Sequence, residues 1–184
     1  MIPSEEYRTH DFHQGSFGTH AVWDQDFLFK VPPGLAPEAA APLMCGGATV
    51  FGVIEAYNIR PTDRVGIIGI GGLGHLAIQF LAKMGAEVVV FSSTDSKKEE
   101  AMRLGATEFV ATKGKEKFEG VKPVDHLIIT ASFQMDWKPY IAVLKPQATV
   151  YPITITFDDL TIPILPIVLC GINIQGNDHL SLAI

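Results

Sequence analysis

The chain has 184 residues, of which 47% are hydrophobic and 18% charged, and a formal net charge of -6 at neutral pH. That length fits one well-filled core, and the composition excludes an intrinsically disordered chain. The acidic balance argues against non-specific nucleic-acid binding, which needs a basic face.

Residues 16–31 read as strand-like, with Phe17, Val22, Trp23, Leu28 and Phe29. Pro32-Pro33-Gly34 ends that pattern. A helix is expected from Pro37, with Glu38 in its first turn. Small residues follow (Cys45-Gly46-Gly47-Ala48-Thr49), and helix continues over residues 51–57. Strand and helix then alternate. Residues 65–70 are nearly all apolar, as in a strand buried on both faces. Leu73, Leu76, Ala77, Phe80, Leu81 and Met84 recur at helical spacing, and Gly85 supplies a left-handed stop. Residues 88–91 predict a second strand. Ser96-Lys97-Lys98-Glu99 has capping-box spacing before a short helix ending at Gly105. Further strands are expected at 109–111, 124–130, 149–155 and 172–175, with a surface loop over 112–122 and a helix over 136–144. Such alternation predicts an α/β fold, a Rossmann-type doubly wound parallel sheet with right-handed crossovers.

Gly69-Ile70-Gly71-Gly72-Leu73-Gly74 lies between the first strand and its helix. Strand, glycine turn and helix in that order form a dinucleotide-binding fingerprint. Gly69 permits the tight turn, Gly71 lets a pyrophosphate approach, and Gly74 lets helix and strand pack closely. An NAD-preferring site carries an acid at the end of the second strand. Here that strand ends Phe91-Ser92-Ser93-Thr94, and Lys97 and Lys98 follow Asp95. Hydroxyls and ammonium groups suit a 2′-phosphate, so NADP is expected over NAD.

Three segments, 40–47, 69–75 and 92–100, resemble the zinc-dependent medium-chain alcohol dehydrogenases, and most closely their cinnamyl-alcohol-dehydrogenase branch. The likeness runs from about Gly15 to Gly176. It implies a zinc enzyme that reduces aldehydes with NADPH, reversibly. By that resemblance Cys45 is a zinc ligand and Thr49 lies beside the cofactor. Ser92, Ser93 and Lys97 hold the 2′-phosphate, and Thr130 sits near the cofactor at the end of the fourth strand. Asn177, Asp178 and His179 run beside the nicotinamide. The family's long N-terminal catalytic domain, its other zinc ligands and its usual glycine near Pro152 are missing. The expectation is therefore the cofactor-binding portion of such an enzyme. Residues 1–35 would be a β remnant of the catalytic domain, and 36–184 an NADP-binding domain. A homodimer through the sheet edge at residues 172–175 is expected, acting on a small aldehyde or alcohol. Two rivals are a noncatalytic NADP-binding module and a zinc-free member of quinone-reductase type.

Other candidates have plainer readings. His10, Asp11, His13 and His20 match no strong metal signature. Cys170 and Trp137 are expected in the core, His75 in helix packing, and His126 as a satisfied strand residue. Two distant cysteines make no disulfide framework. The polar, acidic N-terminus shows no secretory signal, and the longest apolar stretch, residues 160–172, is too short to span a bilayer. These features make a cytoplasmic protein the expectation.

Overall fold

A computed structural model describes residues 18–132, 135–157 and 159–176. Contacts divide the described chain into two units, parting between Ala41 and Pro42.

In the first unit, Gln25–Phe27 form a 3-10 turn capped by the Asp24 carboxylate, and Pro37–Ala40 (α1) form a single helical turn with proline at its start. No strand forms over residues 18–31, against the expectation. The apolar residues are present, but a strand is stable only with a ladder partner. Val22, Leu28 and Phe29 are exposed.

The second unit is a parallel sheet. Its strands are β1 (Arg64–Ile68), β2 (Glu87–Ser92), β3 (Glu108–Ala111), β4 (Val124–Ile129), β5 (Leu144–Pro152) and β6 (Asn173–Ile174). They lie in the order β3-β2-β1-β4-β5-β6, every neighbouring pair parallel. This is the doubly wound order, in which the chain reverses direction between β1 and β4.

Both faces are covered, which is why the strands read as continuous apolar runs. Val65, Ile67, Val88, Val90, Ile128 and Tyr151 face one core with α2 (Gly46–Ala56), α3 (Gly72–Met84) and α4 (Lys98–Leu104). Ile68, Val89, Phe91, Leu127, Ile129 and Val150 face the other, with Phe118, Trp137 and Tyr140. Trp137 and Tyr140 come from α5 (Trp137–Ile141), capped by Asp136. Left-handed glycines end α3 and α4, at Gly85 (φ +98°) and Gly105 (φ +113°).

Three local expectations are corrected. Ser96 is not a helix cap: a 3-10 turn over Asp95–Lys97 starts first, and the Ser96 hydroxyl pairs with Thr94 Oγ1 at 2.8 Å. Helix α5 is shorter than residues 136–144, because the Val143 carbonyl accepts from Val124 N–H (2.8 Å) and draws the chain into the sheet. Cys170 is exposed rather than buried, because α6 (Ile164–Cys170) presents its apolar side chains outward. Among the described residues no single helix is long and apolar enough to cross a membrane.

Candidate functional site

The site forms at the carboxyl ends of β1, β2 and β4, where an open sheet of this order leaves a crevice. Its base is the glycine turn. Gly69 has φ +96°, a conformation that favours glycine, and its N–H donates to Phe91 O at 2.9 Å. A Cβ on Gly74 would lie 2.1 Å from the Gly69 carbonyl oxygen, so the third glycine is required by close packing of helix on strand. A Cβ on Gly71 or Gly72 would meet nothing within 4 Å. The backbone there borders open space, a cradle that a pyrophosphate fits.

The first helical hydrogen bond of α3 is His75 N–H to Gly71 O, 3.1 Å. The amides of Gly72, Leu73 and Gly74 therefore precede the helical ladder, and the helix dipole adds partial positive charge there. His75 also returns to the turn through Nδ1, 3.1 Å from Gly71 O. The turn is fixed from the neighbouring strand as well. The Thr130 hydroxyl lies 2.9 Å from Ile68 O and 3.2 Å from Gly69 O, so it braces β4 against β1.

The end of β2 supplies the second half of the cleft. Ser92 and Ser93 line it with Gly69, Ile70, Gly71, Lys97 and Thr130. Lys97 donates from Nζ to Ile70 O at 2.7 Å, linking the region after β2 to the glycine turn. Among the described residues no carboxylate lines the cleft; Asp95 lies in the 3-10 turn outside it. Ile68, Phe91, Thr112, Ala131 and Tyr140 complete the lining and were not foreseen as site residues. The signal for Thr112 was present, since it directly follows β3 at the carboxyl edge of the sheet, where ligands bind such folds.

The remaining expected residues are placed elsewhere. Thr94 pairs with Ser96, and Thr49, on α2, donates to Cys45 O at 2.8 Å; neither lines the cleft. Asn177, Asp178 and His179 lie outside the described residues, as do His10, Asp11 and His13. His20 pairs with Thr19 Oγ1 at 3.0 Å. His126 is satisfied between Asp63 (3.3 Å) and the Tyr151 hydroxyl (3.2 Å). Trp137 is buried, as expected of a packing residue, and borders an apolar cavity with Ile129, Pro152 and Leu160. That cavity shares Ala131 with the cleft.

Cys45 precedes α2 and its thiol is exposed. Among the described residues no group of three His, Cys, Asp or Glu side chains could hold a metal. A catalytic zinc takes three protein ligands, so the described residues do not fit a zinc ion, and no chemical step is assigned through one.

The zinc-binding dehydrogenase family matches residues 72–180. An aldehyde reductase of Synechocystis is 35% identical over 158 residues, covering 85% of this chain and 47% of the relative. An NADP-dependent alcohol dehydrogenase of Mycolicibacterium smegmatis is 32% identical over 164 residues, covering 89% of this chain and 47% of the relative. The solved cinnamyl alcohol dehydrogenase of Sorghum bicolor superposes with a TM-score of 0.75 at 34% identity, over 83% of this chain and 44% of that one. The chain thus spans about half the length of these relatives. With the glycine turn, strand order and crevice already placed, the chain belongs to the zinc-binding dehydrogenases, in their cinnamyl-alcohol-dehydrogenase-like branch.

Proposed function

We infer that this chain is the NADP(H)-binding portion of an alcohol dehydrogenase that works as an aldehyde reductase. One observation carries the reading: a glycine turn with open space at Gly71 stands beside a β2 end with two serines, Lys97 and, among the described residues, no carboxylate. When bound, the nicotinamide supplies the hydride that interconverts aldehyde and alcohol. The chain's own residues bind and orient. Amides of Gly72, Leu73 and Gly74 hold the pyrophosphate. Ser92, Ser93 and Lys97 hold the 2′-phosphate. Thr130 keeps the crevice at a set width, and the apolar cavity beside Ala131 accepts the nicotinamide end.

Residues 1–35 are proposed as part of the catalytic domain's fold, and residues 36–184 as the cofactor domain. The expected substrate is a small aldehyde or alcohol, and the expected assembly a homodimer through β6.

Titration with both reduced cofactors tests the reading. NADPH is expected to bind at least about tenfold more tightly than NADH. Lys97→Ala should reduce that ratio by about tenfold, since a hydrogen bond to a charged group contributes about 1.5–3 kcal/mol. Equal affinities for the two cofactors in the unaltered protein would overturn it.

That Cys45 belongs to no group of three potential metal ligands among the described residues favours a second reading, an NADP-binding module without turnover. Following NADPH oxidation with an aromatic aldehyde, before and after added zinc, separates the two. Binding without oxidation in both conditions supports the module.

A further inference from the structure

The geometry points to the indole N–H of Trp137 as the donor that seats the nicotinamide carboxamide in the apolar cavity beside the cleft. This rests on the NADP(H) reading above and assigns a group that reading does not use.

Trp137 opens α5, is 3% exposed and belongs to the second core with Ile129 and Tyr140. Among the described residues, its Nε1 is the one buried side-chain nitrogen or oxygen without a hydrogen-bond partner. Burying a donor without an acceptor costs its hydration and returns nothing. Leucine or phenylalanine would serve the core at no such cost. Packing therefore accounts for the ring and not for the N–H. A buried polar group left unpaired in a folded protein calls for an ordered water or a functional role.

The indole lines a cavity of about 260 Å³ with Ile129, Met135, Pro152 and Leu160. Ile129 ends β4 and Pro152 ends β5, so the cavity opens at the carboxyl edge of the sheet, and it shares Ala131 with the cleft. That volume admits one ring rather than a dinucleotide, since sites for whole small molecules run to about 300–1,000 Å³.

The polar groups of the cavity are few and specific. An indole N–H only donates, so its partner is an acceptor. Among the described residues no Lys, Arg or His lines the cavity and Asp159 does, which disfavours an anion and suits a neutral carbonyl. Ser132 and Thr154, from the segments that follow β4 and β5, also line it, and their hydroxyls are hydrogen-bonded to each other. One proton lies between them, and their oxygens keep lone pairs that accept. A buried donor among apolar side chains, with hydroxyl acceptors at the same cavity, is the complement of a primary carboxamide. Its carbonyl oxygen accepts from Trp137, and its NH2 donates to Ser132 or Thr154. The nicotinamide is the part of the cofactor that carries such a group, and fixing the carboxamide fixes the ring that exchanges hydride.

The test uses the full chain carrying Trp23→Phe, which leaves Trp137 as the sole indole of the two in the sequence. The indole N–H resonance is followed by NMR during titration with NADPH and with 2′-phospho-ADP-ribose, which lacks the nicotinamide. NADPH should move that resonance downfield, and 2′-phospho-ADP-ribose should bind and leave it in place. In a second arm, Trp137→Phe keeps a buried ring and removes the donor. It should weaken NADPH about fivefold, the loss of one neutral hydrogen bond, and leave 2′-phospho-ADP-ribose within about twofold. Should that variant fail to fold, the resonance decides alone. A resonance that both ligands move equally would overturn the inference. So would one that bound NADPH leaves in place, the signature of an ordered water as the partner, or equal weakening of both ligands by Trp137→Phe. Failure of the unaltered protein to bind NADPH would instead strike the NADP(H) reading, and the inference with it.

Discussion

Gly71 and Gly74 sit three positions apart and answer to different demands. A Cβ at 74 would meet a backbone oxygen at 2.1 Å, whereas one at 71 would meet nothing within 4 Å. Gly74→Ala should therefore destabilise the protein by about 2–3 kcal/mol, as overpacking against an immovable backbone does, and lower its melting temperature. Gly71→Ala should leave the melting temperature nearly unchanged, since φ at Gly71 is -109° and any residue tolerates it. It should still weaken NADPH at least about tenfold in a fluorescence titration, because the methyl group occupies the pyrophosphate cradle. The tight packing at Gly74 and the open space at Gly71 were legible from spacing alone. So was Lys97 as a cleft residue, though not its bond to Ile70 O, which depends on how the segment after β2 folds back. Thr112 was within reach, as the residue that follows β3 at the carboxyl edge of the sheet, but Tyr140 was not legible. The two are 28 residues apart and line one cleft because β3 and α5 lie on the same side of the fold.

The amino ends of four strands are tied together by Arg64, at the opposite end of the sheet from the cleft. Arg64 is buried, its guanidinium pairs with Glu87 and Glu108, and its Nε donates to Lys122 O at 3.3 Å. Its backbone N–H donates to Asp125 at 2.9 Å. Arg64→Ala should cost about 2–3 kcal/mol in chemical denaturation, less than a fully buried pair, because both glutamates remain partly hydrated. Burial alone would raise the Asp125 carboxyl. The Lys145 ammonium at 2.8 Å, the Arg64 N–H and the charge of His126 outweigh it and hold the group below its ordinary value. A carboxyl depressed in the folded state contributes stability above its unfolded pKa of about 4. That contribution disappears as pH falls through the lower folded value. Asp125→Asn should accordingly flatten the stability profile below about pH 4 and leave its alkaline side unchanged. The strands themselves were readable as apolar runs. Residues 18–31 share that composition and form no strand, because composition marks what a strand could bury and not whether an edge is there to pair with.

Across the sheet the two edges differ in chemistry. On the β6 side, Ile164, Leu165, Val168 and Leu169 of α6 are 65–75% exposed, and Ile174 is exposed on the strand itself. Patches of this kind mark association surfaces. Light scattering should give twice the chain mass, and Leu169→Glu should return it to a single chain without loss of NADPH affinity. The opposite edge, β3, is four residues long, has Glu108 engaged by Arg64, and runs into a polar loop carrying Lys113, Lys115 and Lys117. Among the described residues, the β6 flank is greasy and the β3 flank wet, so the proposed twin would attach at the former. In such a dimer each copy would turn its charged border outward, an edge that resists strand-by-strand growth toward a fibre.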